Sequence, residues 1–192
     1  KVSMYILNYK RPENLKKSLP VLTTYKIIDE IIISHGHPDG FINFDYPNIK
    51  NIKDYEANDK YGAGRRFLID LSNFKNDRIL VVDDDNIPTE RLIMRMLMEY
   101  RKDPNQIYGP VRRKCDSNGY KFVPQLNEAN MILTSLALTS KNVIKTFQKK
   151  FLEVESILNK NNGNGDDLTF NYIFTKHYNK QPKYIEGDYI EL

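Results

Sequence analysis

Three consecutive aspartates, Asp83, Asp84 and Asp85, follow an apolar run, ILVV, at positions 79–82. Adjacent carboxylates repel one another and remain ionised together only when a positive group lies close to them. Carboxylate oxygens are the ligands that Mg²⁺ and Mn²⁺ prefer, and a site with few protein ligands leaves coordination positions for substrate phosphates. The triplet therefore predicts a divalent metal site at the end of a buried strand.

The role of each aspartate is predicted from the strand that precedes the triplet. Because side chains alternate along an extended chain, we expect Asp83 and Asp85 to face one side and Asp84 the other. This assigns the metal to Asp85 and Asp83, and it also places Asp83 beside a ribose or sugar. Asp84 is then a candidate catalytic group that approaches the sugar from another angle, or it braces the loop. The alternative is a solvated acidic turn that caps the next helix.

Other motifs of phosphate or metal chemistry fit the sequence less well. An EF-hand loop starting at Asp83 would need Gly at its sixth position and a carboxylate at its twelfth, where the chain has Pro88 and Met94. No P-loop is present, and no G-x-G-x-x-G motif follows a strand. A phosphate-transfer domain would need supporting Lys and Ser/Thr residues that the sequence does not place.

Two segments carry residues suited to a nucleotide. Asn8, Tyr9 and Arg11 lie at the end of the first predicted strand, where Tyr9 would stack on a base and Asn8 would hydrogen-bond to it. Arg65 and Arg66 follow a Gly-Ala-Gly loop that enters a predicted helix. A helix N-terminus favours anions, and Arg binds a phosphate or a uracil edge with good geometry. All five residues are candidate nucleotide contacts; the alternative for Arg65 and Arg66 is a solvated helix face.

A second acidic pair, Asp166 and Asp167, begins a predicted helix after the Asn- and Gly-rich stretch at 159–165. One interpretation is an N-cap with a first-turn acid that stabilises the helix dipole. The other is a catalytic carboxylate on the acceptor side, which orients or deprotonates a sugar hydroxyl. In that case the preceding loop is expected to close over a bound donor.

The elements that position these residues alternate between strands and helices in the first half of the chain. This order predicts an α/β fold with a mixed, mostly parallel central sheet flanked by helices, and the later short strands predict a small antiparallel addition. The predicted strands are 2–9, 27–34, 49–53, 79–82, 106–111, 120–124, 131–135 and 184–189, and the predicted helices are 12–22, 65–73, 89–101, 141–158 and 166–177.

The composition excludes several classes of protein. The chain has 192 residues, of which 40% are hydrophobic, and a formal net charge of +4. This apolar content excludes intrinsic disorder, and no apolar run approaches the roughly 20 residues of a membrane span. The single cysteine, Cys115, excludes a disulfide framework and a Cys-based zinc cluster. The charge is too small to indicate nucleic-acid binding, and the acidic triplet argues against it unless the protein is a metal nuclease.

Taken together, these motifs resemble the GT-A type glycosyltransferases that use nucleotide sugars, and most closely the exostosin-like family. The resemblance runs in order over most of the chain. It is carried by NYKR at 8–11, the arginine pair at 65–66, VVDDD at 81–85, IYGPVRRK at 107–114 and DDLTFNY at 166–172.

The resemblance implies a UDP-sugar donor, a Mn²⁺ (or Mg²⁺) cofactor, a glycan or glycoprotein acceptor and transfer with retention of anomeric configuration. It places the metal on Asp85 and sets Asp167 beside the donor sugar and the acceptor. It further implies one GT-A-like, Rossmann-like domain over 1–192, with a nucleotide-binding half at 1–88 and an acceptor half at 89–192. Such a domain occurs alone or within a longer protein. The alternative is a non-catalytic module that binds a carbohydrate or a nucleotide at a degenerate site.

The chain departs from the family in one respect that concerns its location. It lacks the family's cysteines, which favours the cytoplasm over the Golgi. Its Lys-, Ile-, Asn- and Tyr-rich character also resembles the glycosyltransferase domains of large algal viruses, which build sugars on capsid proteins. That resemblance implies the host cytoplasm as the location and a deoxyhexose such as rhamnose as the transferred sugar.

Overall fold

The computed structural model describes residues 1–117, 119–122, 129–160 and 164–192. In chain order these residues form β1 (Val2–Asn8), α1 (Pro12–Leu22), β2 (Ile28–His35), β3 (Ile49–Lys53), α2 (Tyr55–Tyr61), β4 (Arg78–Asp83), β5 (Asn86–Pro88), α3 (Glu90–Lys102), β6 (Tyr108–Gly109), β7 (Arg112–Asp116), β8 (Gly119–Lys121), β9 (Met131–Ile132), β10 (Leu136–Ser140), α4 (Lys141–Lys150), α5 (Glu155–Lys160), α6 (Asp166–Tyr178), β11 (Lys183–Tyr184) and β12 (Tyr189–Glu191).

The central sheet has seven strands in the order β11-β6-β10-β4-β1-β2-β3. Strand β10 runs antiparallel to its neighbours β4 and β6, and the other neighbouring strands are parallel. Two small antiparallel sheets, β12-β5 and β8-β7-β9, lie beside it. The predicted fold class, α/β with a mostly parallel sheet and an antiparallel addition, is confirmed.

Strand β1 is the centre of the parallel part, and each of its residues is buried. Met4 and Ile6 pack into the core on one face of the sheet, and Tyr5 and Leu7 pack into the core on the other. A strand covered on both faces is expected to read as a continuous apolar run, and residues 4–7 of β1 do so. The chain passes from β1 through α1 to β2 on one side, whereas β4 pairs with β1 on the opposite side.

This change of direction brings the carboxyl ends of β1 and β4 together. Leu7 of β1 lies opposite Asp83 of β4 in the parallel register. In open α/β sheets, ligands bind in the crevice outside the carboxyl ends of the strands, where the strand order reverses. The sheet therefore places the aspartate triplet at the ligand-binding position of this topology.

Helices cover both faces of the sheet. Helices α1 and α3 contribute buried apolar residues to one core, whereas α4 and α6 contribute to the other, together with Phe67. The rings of Phe67 and Phe170 stack with their centroids 3.7 Å apart. This contact fixes the start of α6 against the turn that carries Arg65 and Arg66. Within the described ranges, no helix has both the length and the hydropathy needed to cross a lipid bilayer.

Several predicted elements differ from the structure. The predicted helix 65–73 is wrong. Helix α2 lies earlier in the chain and stops before Gly62, whose φ of 52° leaves the helical region. Two 3-10 turns, Gly62–Phe67 and Leu71–Asn73, follow. The predicted helix 141–158 is interrupted by the 3-10 turn Phe151–Glu153, which turns Phe151 against Tyr61.

Late in the chain, the strand prediction was also incomplete. The prediction for 131–135 stopped short of β10, which pairs with β4 in the middle of the sheet. The single predicted strand 184–189 is two short strands in different sheets, β11 and β12. Of the predicted strand 120–124 and the predicted loop 159–165, residues 123–124 and 161–163 lie outside the described residues.

The loop after β2 is attached to the end of β1 by a close backbone approach. The side-chain amide of Asn8 donates a hydrogen bond of 2.7 Å to the carbonyl oxygen of Gly40. A Cβ atom at Gly40 would lie 1.9 Å from the carbonyl oxygen of Tyr9. Position 40 therefore has room for glycine alone, and this loop forms one wall of the region around Tyr9.

We predict that Gly40→Ala lowers the free energy of unfolding by about 2 kcal/mol or more, because the new methyl group must displace backbone. Gly64→Ala is the control, since its methyl group would meet only the flexible end of Leu158, at 3.0 Å. Chemical denaturation of both variants measures the difference. Equal losses in the two variants would contradict the close approach at Gly40.

Candidate active site

A cavity of about 500 Å³ lies at the carboxyl ends of β1 and β4. A second cavity of about 400 Å³ adjoins it, because Asn164 lines both. Asp167 lines the second cavity together with Tyr120. Seven of the predicted site residues line the first cavity: Asn8, Tyr9, Arg11, Arg65, Arg66, Asp83 and Asp84.

The triplet does not keep the alternation that its sequence predicts. Strand β4 ends at Asp83, and the next two residues form a turn. Arg11 consequently bridges both residues of the turn, with Nη2 2.6 Å from Oδ1 of Asp84 and Nη1 2.7 Å from Oδ2 of Asp85. Asp83 instead pairs with Arg66. The expectation that Asp83 and Asp85 face one side, opposite Asp84, is therefore wrong.

Asp84 is the most deeply buried carboxylate of the triplet. Its side chain is 1% exposed, whereas that of Arg11 is 56% exposed. Burial raises the pKa of Asp84 to about 6, and the neighbouring Asp85 and Asp83 add to the rise, although Arg11 opposes it. Burial therefore destabilises the charged form of Asp84 more than the mostly solvated guanidinium of Arg11 stabilises it.

Arg66 is buried between the two acidic segments. Its Nη2 lies 2.9 Å from Oδ1 of Asp83, and its Nε lies 3.1 Å from Oδ2 of Asp166. Its Nη1 also donates a hydrogen bond of 2.8 Å to the carbonyl oxygen of Thr134. Burial lowers the pKa of Arg66, but Asp83, Asp166 and Asp167 together raise it above the usual value. One guanidinium therefore joins the end of β4 to the start of α6.

Arg65 is also buried, and its Nη atoms bind protein acceptors. Nη1 donates to Oδ1 of Asn58 at 2.6 Å and to the carbonyl oxygen of Gly62 at 3.1 Å. Nη2 donates to the carbonyl oxygens of Asn8 and Ser34, at 3.3 and 3.4 Å. Arg65 thus holds the ends of β1 and β2 together. Neither Arg65 nor Arg66 lies on a solvated helix face; that they contact a nucleotide stays a prediction.

The residues that follow β1 differ in how much of them a ligand can reach. Asn8 is buried, and its Nδ2 lies 2.9 Å from Nδ1 of His35. Burial lowers the pKa of His35, which favours the neutral ring that can accept this hydrogen bond. Tyr9 is 47% exposed, and its ring packs edge-on against His37. Tyr9 therefore offers an accessible aromatic face beside the first cavity.

The late acidic pair lies in the first turn of α6, where neither side chain caps the helix; Gly165 is the N-cap, at a φ of 97°. Asp167 instead accepts two hydrogen bonds on Oδ1, from the backbone N–H of Thr134 at 2.5 Å and from its hydroxyl at 2.6 Å. Burial, followed by the charge of Asp166, raises the pKa of Asp167. Thr134 has no sequence signal, because an isolated threonine beside a short strand matches no motif.

The cleft offers a divalent cation few protein ligands. Among residues 1–117, 119–122, 129–160 and 164–192, no three His, Cys, Asp or Glu side chains form a group that would hold a metal. The donors present are the carboxylates of Asp83 and Asp85, whose side chains are 28% and 21% exposed. Such a sparse oxygen set fits Mg²⁺ or Mn²⁺ whose other ligands come from substrate phosphates.

The mostly parallel sheet with a cleft at the carboxyl ends of β1 and β4 defines a Rossmann-like α/β fold. The sequence profile of the glycosyl transferase family 64 domain matches residues 2–191. The chain belongs to this family and is a glycosyltransferase, which acts on a sugar donor and an acceptor. A search of curated proteins finds no significant match.

Solved structures support the fold. A 2-C-methyl-D-erythritol 4-phosphate cytidylyltransferase from Francisella tularensis is similar with a TM-score of 0.60 at 12% identity, over 98% of this chain and 91% of that one. A 4-diphosphocytidyl-2C-methyl-D-erythritol synthase from Anaerococcus prevotii is similar with a TM-score of 0.58 at 15% identity, over 97% and 87%. At these identities the likeness concerns the fold alone.

The raised pKa of Asp84 predicts a pH dependence of stability. A carboxyl whose pKa is higher in the folded than in the unfolded chain favours folding when protonated, so the free energy of unfolding falls as pH rises from about 4 to about 6. Asp84→Asn is expected to remove this fall and to be more stable than the wild type by about 1–2 kcal/mol at pH 7. Urea titrations with EDTA present, repeated across this pH range, measure it.

Asp70→Asn is the control of opposite sign. Hydrogen bonds from Ser72 hold the pKa of the Asp70 carboxyl below its usual range, so removing this charge lowers stability at pH 7. If Asp84→Asn destabilises the protein at pH 7 as Asp70→Asn does, the account of Asp84 is wrong.

Proposed function

We propose that the protein transfers a hexose or a deoxyhexose such as rhamnose from a UDP-sugar to a glycan or glycoprotein acceptor, with a bound Mn²⁺ or Mg²⁺ and with retention. The observation that carries the proposal is the excess of carboxylates in the cleft of a family 64 domain. Among the described residues, four carboxylates of the cleft, those of Asp83, Asp84, Asp85 and Asp166, pair with two guanidinium groups, those of Arg11 and Arg66, and a fifth carboxylate, that of Asp167, is held by Thr134.

This excess bears directly on which ligand the cleft binds. A diphosphate is itself anionic, and without a cation it would be repelled by the surplus negative charge. A divalent cation removes that repulsion, because it is attracted to the carboxylates and to the diphosphate alike. The charge balance therefore supports a metal ion that enters together with the donor rather than a donor that binds alone.

Asp85 is the proposed metal ligand, with Asp83 as a second ligand or as a contact to the ribose or sugar. Both carboxylates are partly exposed, and Asp83 lines the first cavity. When bound, the cation would act as a Lewis acid that stabilises the negative charge on the departing UDP. Asp84 is too buried to contact the metal or the sugar directly, but its ion pair with Arg11 holds that guanidinium beside the proposed position of the diphosphate.

The nucleotide is proposed to lie along the first cavity. Tyr9 offers an exposed ring for stacking on the base, and Asn8 and Arg65 shape the wall behind it. Arg11 is the mostly exposed guanidinium of the cleft, and its flexible side chain is suited to bind the diphosphate. Arg66 lies too deep for the same task, since its contacts are with the protein.

The acceptor is proposed to occupy the second cavity, beside Asp167. A carboxylate whose pKa is raised by burial accepts a proton more readily than an exposed one, as a general base must. Asp166 supports it indirectly, because Asp166 pairs with Arg66 and the two carboxylates share Thr134.

The cytoplasmic location, the exostosin-like relationship and the viral origin stay predictions.

Calorimetric titration of UDP into the protein tests the metal and the donor. We expect binding with Mn²⁺ to be at least about tenfold tighter than with EDTA, and Asp85→Asn to lose this difference. Asp85→Asn is also expected to lower the rate of UDP release from a UDP-sugar by about 100-fold or more. The control is Asp45→Asn at an exposed position, which should keep both the wild-type difference in UDP affinity and the wild-type rate of UDP release. Equal UDP affinity with Mn²⁺ and with EDTA would contradict the metal assignment. Tight binding without any UDP release would favour the non-catalytic module.

A further inference from the structure

Thr134 directs three polar groups at the late acidic pair and its counter-ion. It lies between β9 and β10 and is 1% exposed. Its backbone N–H and its hydroxyl reach Oδ1 of Asp167, and its carbonyl oxygen accepts from Arg66. The surrounding residues fix the position of a side chain buried in this way, so Thr134 in turn fixes the positions of the groups it hydrogen-bonds, Asp167 and Arg66.

The hydroxyl of Thr134 has one proton and two carboxylate oxygens within reach. It lies 2.6 Å from Oδ1 of Asp167 and 3.0 Å from Oδ2 of Asp166. Oδ2 of Asp166 already pairs with Nε of Arg66, at 3.1 Å. The shorter contact therefore takes the proton, and the hydroxyl donates to Asp167.

Both hydrogen bonds that Thr134 donates to Asp167 end on the same oxygen, Oδ1. Two donors on one oxygen fix the plane of the carboxylate. The described residues donate no hydrogen bond to Oδ2 of Asp167, and Asp167 lines the second cavity, so Oδ2 is the oxygen that we assign to a ligand there. The two oxygens of Asp167 are thus chemically unequal before any substrate binds.

The charged and titratable groups around Asp167 come from three elements. Asp166 lies next to it on α6, Arg66 approaches from the 3-10 turn Gly62–Phe67, and Tyr120 approaches from β8. Burial and Asp166 raise the pKa of Asp167, whereas the hydrogen bonds of Thr134 and the charge of Arg66 lower it. Thr134 therefore opposes the two effects that raise the pKa of Asp167.

We propose that Thr134 is a positioning residue, which holds Oδ1 of Asp167 so that Oδ2 receives the proton of the acceptor hydroxyl. This inference rests on the proposed function. The acceptor oxygen bonds to the anomeric carbon on the face from which UDP departs, as retention requires, and its proton passes to Oδ2 of Asp167. The bond between the anomeric carbon and the β-phosphate oxygen breaks, and its electron pair leaves with UDP.

The test compares Thr134→Val, which removes the hydroxyl and keeps the shape, with Thr134→Ser, which keeps the hydroxyl. Thr139→Val is the matched control, since Thr139 is equally buried and its hydroxyl donates only to the carbonyl oxygen of Gln106. We expect Thr134→Val to lower kcat about tenfold at neutral pH and to move the acidic limb of the kcat–pH profile up by about one pH unit. UDP affinity with Mn²⁺ is expected to stay that of the wild type, and Thr134→Ser to restore the profile.

An unchanged acidic limb in Thr134→Val would overturn the proposal, as would a Thr134→Ser variant as impaired as Thr134→Val. A ¹³C NMR titration of the Asp167 carboxyl provides a readout that needs no turnover. In Thr134→Val, or in Thr134→Ala if the valine variant does not fold, the titration midpoint of Asp167 should rise by about one pH unit. If the wild type binds no UDP, the proposed function fails, and the NMR midpoint alone then supports or overturns the role of Thr134.

Discussion

The guanidinium of Arg66 lies between Asp83 and Asp166, and the geometry of the cleft depends on it. The side chain of Arg66 is 5% exposed, so its charge is removed from water and must be compensated by the protein. One partner follows a central strand, and the other begins a helix 83 positions later in the sequence. If both partners were lost, the buried guanidinium would have no counter-ion, and such an uncompensated buried charge typically costs about 3–5 kcal/mol.

This interaction orders the site in a definite sequence of contacts. Arg66 pairs with Asp166 and donates a hydrogen bond to the carbonyl oxygen of Thr134. The backbone N–H of Thr134 in turn donates to Asp167. On the opposite side, Arg66 holds Asp83 at the end of β4. The group that would contact a donor and the group that would contact an acceptor are therefore set relative to each other by buried contacts rather than by exposed loops. Such preorganisation is what a transfer reaction requires, because its two substrates must meet in one orientation.

The two arginines that touch the triplet differ in their exposure, and this difference separates their functions. Arg66 is buried and structural, whereas Arg11 is mostly solvated and shares Asp84 and Asp85. An exposed ion pair contributes little to stability, so Arg11 can release the more exposed Asp85 at a small cost when a cation and a diphosphate arrive, while the buried Asp84 keeps Arg11 in the cleft. The surplus of carboxylates that remains is the feature on which the proposed metal dependence rests.

The amino-acid sequence predicts the parts of this arrangement that depend on local pattern. The apolar runs of β1 and β4 are long enough to identify buried strands, and Pro12 at the first turn of α1 marks a helix whose bounds were predicted as the structure has them. The triplet could therefore be placed at the carboxyl end of a strand before the fold was known. Strand β10 was missed, because its place in the sheet depends on pairing with a strand more than 50 positions away.

The parts that could not be predicted depend on contacts between distant segments. Arg65 and Arg66 were expected at the start of a helix, either as nucleotide contacts or on a solvated face, but they lie in a 3-10 turn and their side chains are buried. Thr134 became significant only when α6 packed against the turn after β9. The alternation expected for the triplet failed because β4 ends at Asp83, the first residue of the triplet, and Asp84 and Asp85 form a turn.

A double-mutant cycle on Asp83 and Asp166 tests the central claim that one guanidinium joins the two acidic segments. The free energies of unfolding of Asp83→Asn, Asp166→Asn and the double variant are measured by urea denaturation. Because each single variant leaves Arg66 one carboxylate and the double variant leaves none, the loss in the double variant should exceed the sum of the single losses by about 1 kcal/mol or more. Losses that add to within about 0.5 kcal/mol would show that the two carboxylates do not share Arg66.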